Sequence, residues 1–502
     1  MLARAAAALS ALATLGACDE VLTRAGGVAS STPLQQRAMR ALLTPRGVQA
    51  LMRAELATDG LAVDAAARTV GALQLGPIAQ DITVQDLGVG AREDALDLSL
   101  DFGDAALLVP VRVGAGAQTR ICRWRVQLDE AAASMTLELD PDSPARALRT
   151  RDTPAVTSSA ARAEAVGACD LGPEAAGRAD LEGALLDYAD ESLAQAARDF
   201  GARSLLDDLG ALRSTLTLER LSPLDTRAGS VRVSGALSQD EPARLFDQGA
   251  SFDLAYAIDV PEPAPCAPIP TSLARPLDGV LAPLDGALLT ESEADGALLV
   301  SAPLLANAAR LGVRAGLSCQ GLAGLGQARF ASPDAIPLDE LFLDQLGVDT
   351  SIMGSRALIL LSPGALPDLR LEPDVGTLRV IWRALHVDLY VEVFGAPVRA
   401  LRLVSDVTFD FKPRAGSAGA LRLDVDAVEV LSPELETEWL AARPDPDALL
   451  AWATPFMARQ VFGAGIELPL PLGPGARTSR VVRAIVRDND LALLVRFAEE
   501  AP

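Results

Sequence analysis

The 502-residue chain carries 67 acidic against 44 basic residues, a net charge of −23. That sign excludes nucleic acid as a natural partner, since phosphate binding releases counterions only from a basic surface, and it disfavours anionic membrane surfaces. Half the residues are apolar but only 4% are aromatic, so a core of Leu, Val and Ala is expected, with few stacking platforms for bases or sugars. The length predicts two domains, and no uninterrupted apolar run beyond Cys18 is long enough to span a bilayer.

Taken in order, Arg4 opens a positive segment, residues 5–14 are apolar but too short to span, and Leu15-Gly16-Ala17-Cys18 closes them with small residues and a cysteine. This ending resembles a bacterial lipoprotein signal, which implies that residues 1–17 are removed and that Cys18 carries palmitate-type acyl chains. The resemblance places the protein in the cell envelope, anchored to the inner or the outer membrane. Residues 18–32 are small and polar, as a tether should be. Residues 33–56 read as a helix broken near Pro45.

From Leu73 the period becomes two. Leu96, Leu98, Leu100 and Phe102 alternate with polar residues, and Leu107 to Val113 repeat the pattern beyond a turn at Gly103-Asp104. Cys122, Trp124, Val126 and Leu128, then Met135, Leu137 and Leu139, extend the meander. Residues 140–179 show no period and read as a long exposed loop fastened at Cys169. A helix then aligns Leu181, Leu185, Tyr188, Ala189, Leu193, Ala196 and Phe200 on one stripe. The Pro-rich run over residues 260–270 cannot sit inside a sheet and marks a boundary.

The domains expected are therefore residues 33–260 and 276–502, with residues 261–275 as linker. In the second, Ser301 and Pro303 open a helix that aligns Leu304, Ala308, Leu311 and Ala315. Strands follow from Ala357 to Val430, a helix opens at Asp445-Pro446, and a final hairpin turns at Asp488-Asn489-Asp490.

The chemistry-bearing residues are sparse. His386 is the only histidine, and it alternates with Asp388, Tyr390 and Glu392 as on a solvent-facing strand. No G-x-S-x-G elbow is present, and Lys412 stands in no S-x-x-K context. Gly88-Val89-Gly90 and the glycines of residues 321–326 lack the spacing of phosphate loops and read as turns, and the paired aspartates match no calcium loop. An enzyme is not expected, and no cofactor or metal is. With Cys18 acylated, Cys122, Cys169, Cys266 and Cys319 remain. Three disulfide pairings are possible; the sequential one, Cys122 with Cys169 and Cys266 with Cys319, gives each half its own staple.

Residues 43–51 (LTPRGVQAL), 298–316 (LLVSAPLLANAARLGVRAG) and 466–497, which include Leu468-Pro469-Leu470-Pro471, resemble the bactericidal/permeability-increasing protein family of the tubular lipid-binding superfamily. The resemblance implies an elongated α+β fold of two tandem domains, each a highly twisted antiparallel sheet wrapped around a long helix. It implies that a disulfide such as Cys122 with Cys169 ties a strand to the first helix. It also implies that phospholipid or fatty-acid chains bind in apolar pockets between helix and sheet. Lining residues would be Leu181, Leu185, Tyr188, Leu193 and Phe200 in the first domain, and Leu304, Leu311, Val387, Leu389 and Val391 in the second. The chain departs from the endotoxin-binding members in being acidic where they carry basic tips. A structural or protein-interaction envelope lipoprotein without cargo is the alternative.

The cysteines supply a direct check. Intact-mass analysis of membrane-extracted protein is expected to show an acylated Cys18 at the N-terminus, and non-reducing peptide mapping is expected to find both sequential bridges. Retained Met1 would contradict the first, and a peptide joining Cys169 to Cys266 the second.

Overall fold

A computed structural model describes residues 30–31, 35–113, 120–140, 148–169, 178–210, 213–217, 230–237, 243–260, 281, 289, 293–315, 335–416, 419–437, 445–461, 466–468 and 479–497. Cys18, Cys266, Cys319, residues 261–275, residues 321–326 and Pro469 to Pro471 lie outside them.

Strands take 60% of the described residues and helices 22%. Three large antiparallel sheets account for most of the described residues. The chain's first long strand, β1 (Gln35–Leu43), is followed by helix α1 (Pro45–Asp59). Residues 35–43 are thus a strand and not the first piece of a broken helix. Thr44 caps the helix, its hydroxyl accepting from the Gly47 N–H at 3.1 Å, and Pro45 fills the first turn, where no donor is needed.

The eight-stranded sheet is built on β2 (Ala95–Val113) and β3 (Arg120–Leu139), each about twice the length expected from the separate apolar runs. Gly103, with φ +58°, is not a turn: it marks an irregularity where the register between the two strands shifts, so the alternation continues past it on one long strand. The period-two faces are as read, with Leu98, Leu107, Val111, Val126 and Leu137 all buried. Residues 140–179, expected as a loop, instead lay three short strands along β3: Leu148–Thr150, Ala155–Thr157 and Ala160–Ala165. Gly88 and Gly90, expected in a turn, belong to strand Asp86–Arg92, where a Cβ on Gly88 would lie 2.5 Å from Ser99 Oγ.

Helix α2 (Arg178–Gly210) runs unbroken through Gly201, which packs on Met135 and Leu137 of β3. The expected architecture, an α+β pair of sheets each wrapped around a long helix, is overturned here. Asp180, Gly183, Asp187, Glu191 and Gln195 are exposed at spacings of three and four, so a solvent-facing stripe runs along α2 and the strands cover only its other side. Among the described residues of the second half, the α-helices have 13 and 11 residues, too short to be wrapped.

The nine-stranded sheet combines both halves of the chain. β1 lies between β4 (Gly249–Val260) and β5 (Gly296–Ser301), and β5 pairs in turn with the closing hairpin, β6 (Ser479–Val486) and β7 (Asp490–Phe497). Ser30 and Ser31, expected in the tether, pair with Val260 and Asp259. Arg40 and Asp253 sit directly opposite across β1 and β4 and form a two-pronged ion pair, 2.8 Å between Nη2 and Oδ2, with Asp253 buried.

The third sheet, of seven strands, centres on Thr377–Val393 and Ala396–Ala415, joined by a tight turn at Phe394-Gly395. His386 lies on the first of these, an interior strand. Its neighbours Asp388 and Tyr390 are buried rather than solvent-facing, Asp388 held by Arg402 at 2.7 and 3.0 Å. Helix α3 (Ala302–Arg314) is capped by Ser301 as read, but Asn307 and not Ala308 faces inward beside Leu304 and Leu311. Helix α4 (Pro446–Phe456) is capped by Asp445, which accepts from two backbone N–H groups.

Three segments of the nine-stranded sheet meet where β1 ends. Asp295 O accepts from Thr44 N at 3.0 Å and from the Thr44 hydroxyl at 2.8 Å, while the Asp295 carboxylate accepts from Phe497 N at 2.9 Å. A Cβ on Gly47 would sit 1.9 Å from Asp295 O, a backbone atom that cannot swing away. Gly47→Ala is therefore expected to lower unfolding stability by about 3 kcal/mol, the upper range for forced overpacking, readable as a reduced denaturant midpoint with unchanged slope. An unaltered midpoint would show that the crossing is loose.

Candidate functional site

The stripe read from the sequence is buried as a unit. Leu185 and Leu193 have no exposed surface, Leu181 and Tyr188 are nearly as covered, and Phe200 is half-buried against the same core. Leu98, Val111 and Val126 belong to the same apolar cluster. The helix supplies mostly small and aliphatic groups, with Ala189, Ala196 and Ala197 interleaved among the leucines. This layer, between α2 and strands including Leu61–Ala65, Leu148–Thr150 and β3, is the candidate seam.

The second set is divided. Leu304 and Leu311 face inward, and Val387, Leu389 and Val391 are fully covered. Helix α3, however, packs chiefly against strand Asp368–Glu372 and β4, and not chiefly against the strand bearing the three valine and leucine positions. The continuous core includes all five residues without stacking helix on those three. Cys122 and Cys169 form a disulfide with their Cα atoms 5.5 Å apart, joining β3 to the segment that leads into α2.

Beside the seam lies a groove of about 720 Å³, which the sequence reading missed. One wall is the flank of α2, with Tyr188, Asp190, Glu191, Ala194, Gln195, Arg198 and Asp199; the other comes from Asp64 to Arg68 and from Thr153, Pro154 and Val156. Only the helical flank had a signal, its mixed charges, because the opposite wall comes from short strands and a connection distant in sequence.

Tyr188 belongs to both seam and groove. Its ring is buried in the core and its hydroxyl donates to Ala66 O at 2.9 Å. Burial pushes its phenol above the ordinary range, so it remains a neutral donor. Gly76, with φ +79°, leaves the room this needs, since a Cβ there would lie 2.1 Å from the Tyr188 hydroxyl. Ser192 is buried without cost to the apolar layer because its hydroxyl donates back to Tyr188 O at 2.6 Å.

The groove's charges are unevenly matched. Arg68 pairs with Glu191 at 2.7 Å, and Gln195 bridges Asp199 and Arg198 at 2.9 and 3.1 Å. Arg198 has no carboxylate partner among the described residues, and its Nε is buried with no acceptor. The Asp190 carboxyl is held above its usual range, first by burial and then by Asp187. Among the described residues, no group of His, Cys, Asp and Glu is arranged to hold a metal ion. No described helix is long and apolar enough to cross a membrane.

Tyr188→Phe keeps the ring and deletes the hydrogen bond, so it is expected to cost about 1 kcal/mol of unfolding stability. Thermal or denaturant melts check this; an equal or higher stability would show that the hydroxyl does not tie α2 to Ala66.

No family model matches the chain, and no curated protein matches it. Among solved structures it is similar to a crystal structure of lipopolysaccharide binding protein, at 12% identity and a TM-score of 0.35, covering 93% of this chain and 99% of that one. It is also similar to P47 of Clostridium botulinum E1, at 8% identity and a TM-score of 0.27 over 93% of this chain and 100% of that one. P47 of Clostridium botulinum A2 is similar at 9% identity and a TM-score of 0.25, over 92% and 98% of the two chains. Similarity this shallow carries no argument about function.

Proposed function

We propose that the protein binds or carries lipid acyl chains in the seam between α2 and the strands beneath it, and that it does so at an envelope membrane to which Cys18 anchors it. The observation that carries this reading is the one-sided cover of α2. Its inner face is a run of leucines and alanines on an aliphatic sheet face, while its outer face is an exposed stripe from Asp180 to Gln195, on which Glu191 pairs with Arg68. A helix so placed can move outward without breaking a second layer. The contacts it gives up are non-directional, and a guest chain replaces them at about 0.8 kcal/mol per buried methylene. Tyr188, common to seam and groove, places a solvent-open entrance at the edge of this layer. Binding is favoured over catalysis because His386 is held within an interior strand, opposite Ser362 and Val404.

The structural or interaction reading has one feature in its favour. Phe394 is 91% exposed on a two-residue hairpin turn, where it presents a large apolar ring to solvent.

The test is solvent extraction and mass spectrometry of protein purified without detergent, followed by titration with a fluorescent fatty acid. Bound phospholipid or fatty acid and saturable uptake are expected. Ala196→Trp, at the seam, is expected to abolish uptake while costing about 1 to 3 kcal/mol of stability. No extracted lipid and no uptake by the wild type would overturn the reading in favour of the structural one.

A further inference from the structure

Arg40, Arg379 and Arg402 each lie directly opposite an aspartate across a pair of strands. The outer face of β2 and β3 departs from that pattern. There Arg112 lies opposite Ile121, Arg123 opposite Pro110 and Arg125 opposite Leu108. The adjoining strand Ala160–Ala165 extends this face: Glu164 lies opposite Arg125, and Val166, one step beyond the strand, donates its N–H to Arg123 O at 2.8 Å. Leu108, Ile121 and Val166 are 45, 60 and 45% exposed, so these large apolar groups contribute little to the core beneath them. None of the three arginines forms an ion pair among the described residues, and Glu164, the acid set among them, is shared with Arg162 at 4.0 Å. Cations and aliphatic groups therefore alternate on one open sheet face, in a chain whose net charge is −23.

A surface of opposite charge and similar apolar content lies at one end of the seven-stranded sheet. Phe394 stands on the hairpin turn between Thr377–Val393 and Ala396–Ala415, and the pairing of Met353 with Val393 brings Ile352 beside it. Pro337 lies opposite Arg356 on an antiparallel pair, so the chain beyond Pro337 heads toward that same end, carrying Phe342. Phe342, Ile352 and Phe394 are 51, 47 and 91% exposed. Residues 338–355 contain no basic residue, and their acids, Asp339, Glu340, Asp344 and Asp349, are all exposed. A membrane surface of one sign satisfies at most one of these two faces, and the net charge of the chain opposes approach to an anionic one. A second copy of the chain satisfies both. A symmetric contact would set arginine against arginine or carboxylate against carboxylate, which leaves a head-to-tail arrangement. We propose that the acidic, apolar tip around Phe394 of one copy docks on the arginine-bearing face of β2 and β3 in the next. The arginine forks take the carboxylates of residues 339–349, and the exposed rings lie against Leu108, Ile121 and Val166. Because the two surfaces differ, each contact leaves one of each kind open, and the assembly grows until it closes as a ring. This assembly is independent of lipid binding.

Sedimentation velocity of the full chain at rising concentration is expected to show masses above the monomer. Arg123→Glu combined with Arg125→Glu, and separately Phe394→Asp, are each expected to weaken association by roughly tenfold or more, as for residues central to an interface. All three side chains are exposed, and circular dichroism verifies that the variants are folded; Arg123→Gln and Phe394→Ser replace any that are not. The mixture of the two variants is the sharper test. The arginine variant keeps its tip and Phe394→Asp keeps its arginine face, so a single contact of the wild-type kind forms between them. A dimer of one copy of each, which grows no further, is expected where either variant alone stays monomeric. A wild type that is monomeric throughout overturns the proposal, as does an association that either variant leaves unchanged, the result expected of clustering through acyl chains on Cys18. A mixture no heavier than its parts overturns it too. Monomeric wild type that sediments with phosphatidylglycerol vesicles, and loses this with the arginine variant, overturns self-assembly and assigns the arginine face to a membrane.

Discussion

The close approach of three backbone segments at the end of β1 is the constraint on which the fold depends. Asp295 receives Thr44 on its carbonyl and Phe497 on its carboxylate, so the start of α1, the start of β5 and the end of β7 are fixed by one residue. Glycine is required around it for steric reasons: a Cβ on Gly249 would lie 1.9 Å from Leu43 O, and one on Gly296 would lie 2.5 Å from Leu42 O. Strands from both halves of the chain meet in one sheet because their backbones can come this close.

Around that crossing, the long strands solve a recurring problem in the same way. A paired strand exposes the polar side of its pleat, and directly opposite Arg and Asp side chains cover it. Arg40 faces Asp253, Arg402 faces Asp388, and Arg379 faces Asp410, each as a two-pronged pair. The fork geometry of arginine suits such pairs, which gives the nearly complete replacement of lysine a structural use.

The proposed function rests on the asymmetry of α2. Its inner face meets leucine, valine and alanine, which hold the helix by non-directional contacts; its outer face is an exposed stripe with the Glu191–Arg68 ion pair on it. The groove at Tyr188 joins these two environments, bringing water and unmatched charge to the edge of an aliphatic layer. An amphiphile has the same division of chemistry along its length.

Features that depend on neighbours in sequence were legible before the structure. The alternation of Leu98, Val111, Val126 and Leu137, the stripe of α2, and the caps Ser301 and Asp445 each follow from local spacing and a side chain's own reach. Tertiary structure decided the rest. Residues 35–43 became a strand because β4 and β5 supply partners on both sides, a contribution no local pattern contains. Residues 148–165 were ordered by the free edge of β3, Asp388 was buried because Arg402 lies opposite, and the groove was assembled from segments more than a hundred residues apart. Periodicity specifies which face of an element is apolar; which other element covers that face, and how completely, is set by long-range pairing, and this left α2 covered on one side only.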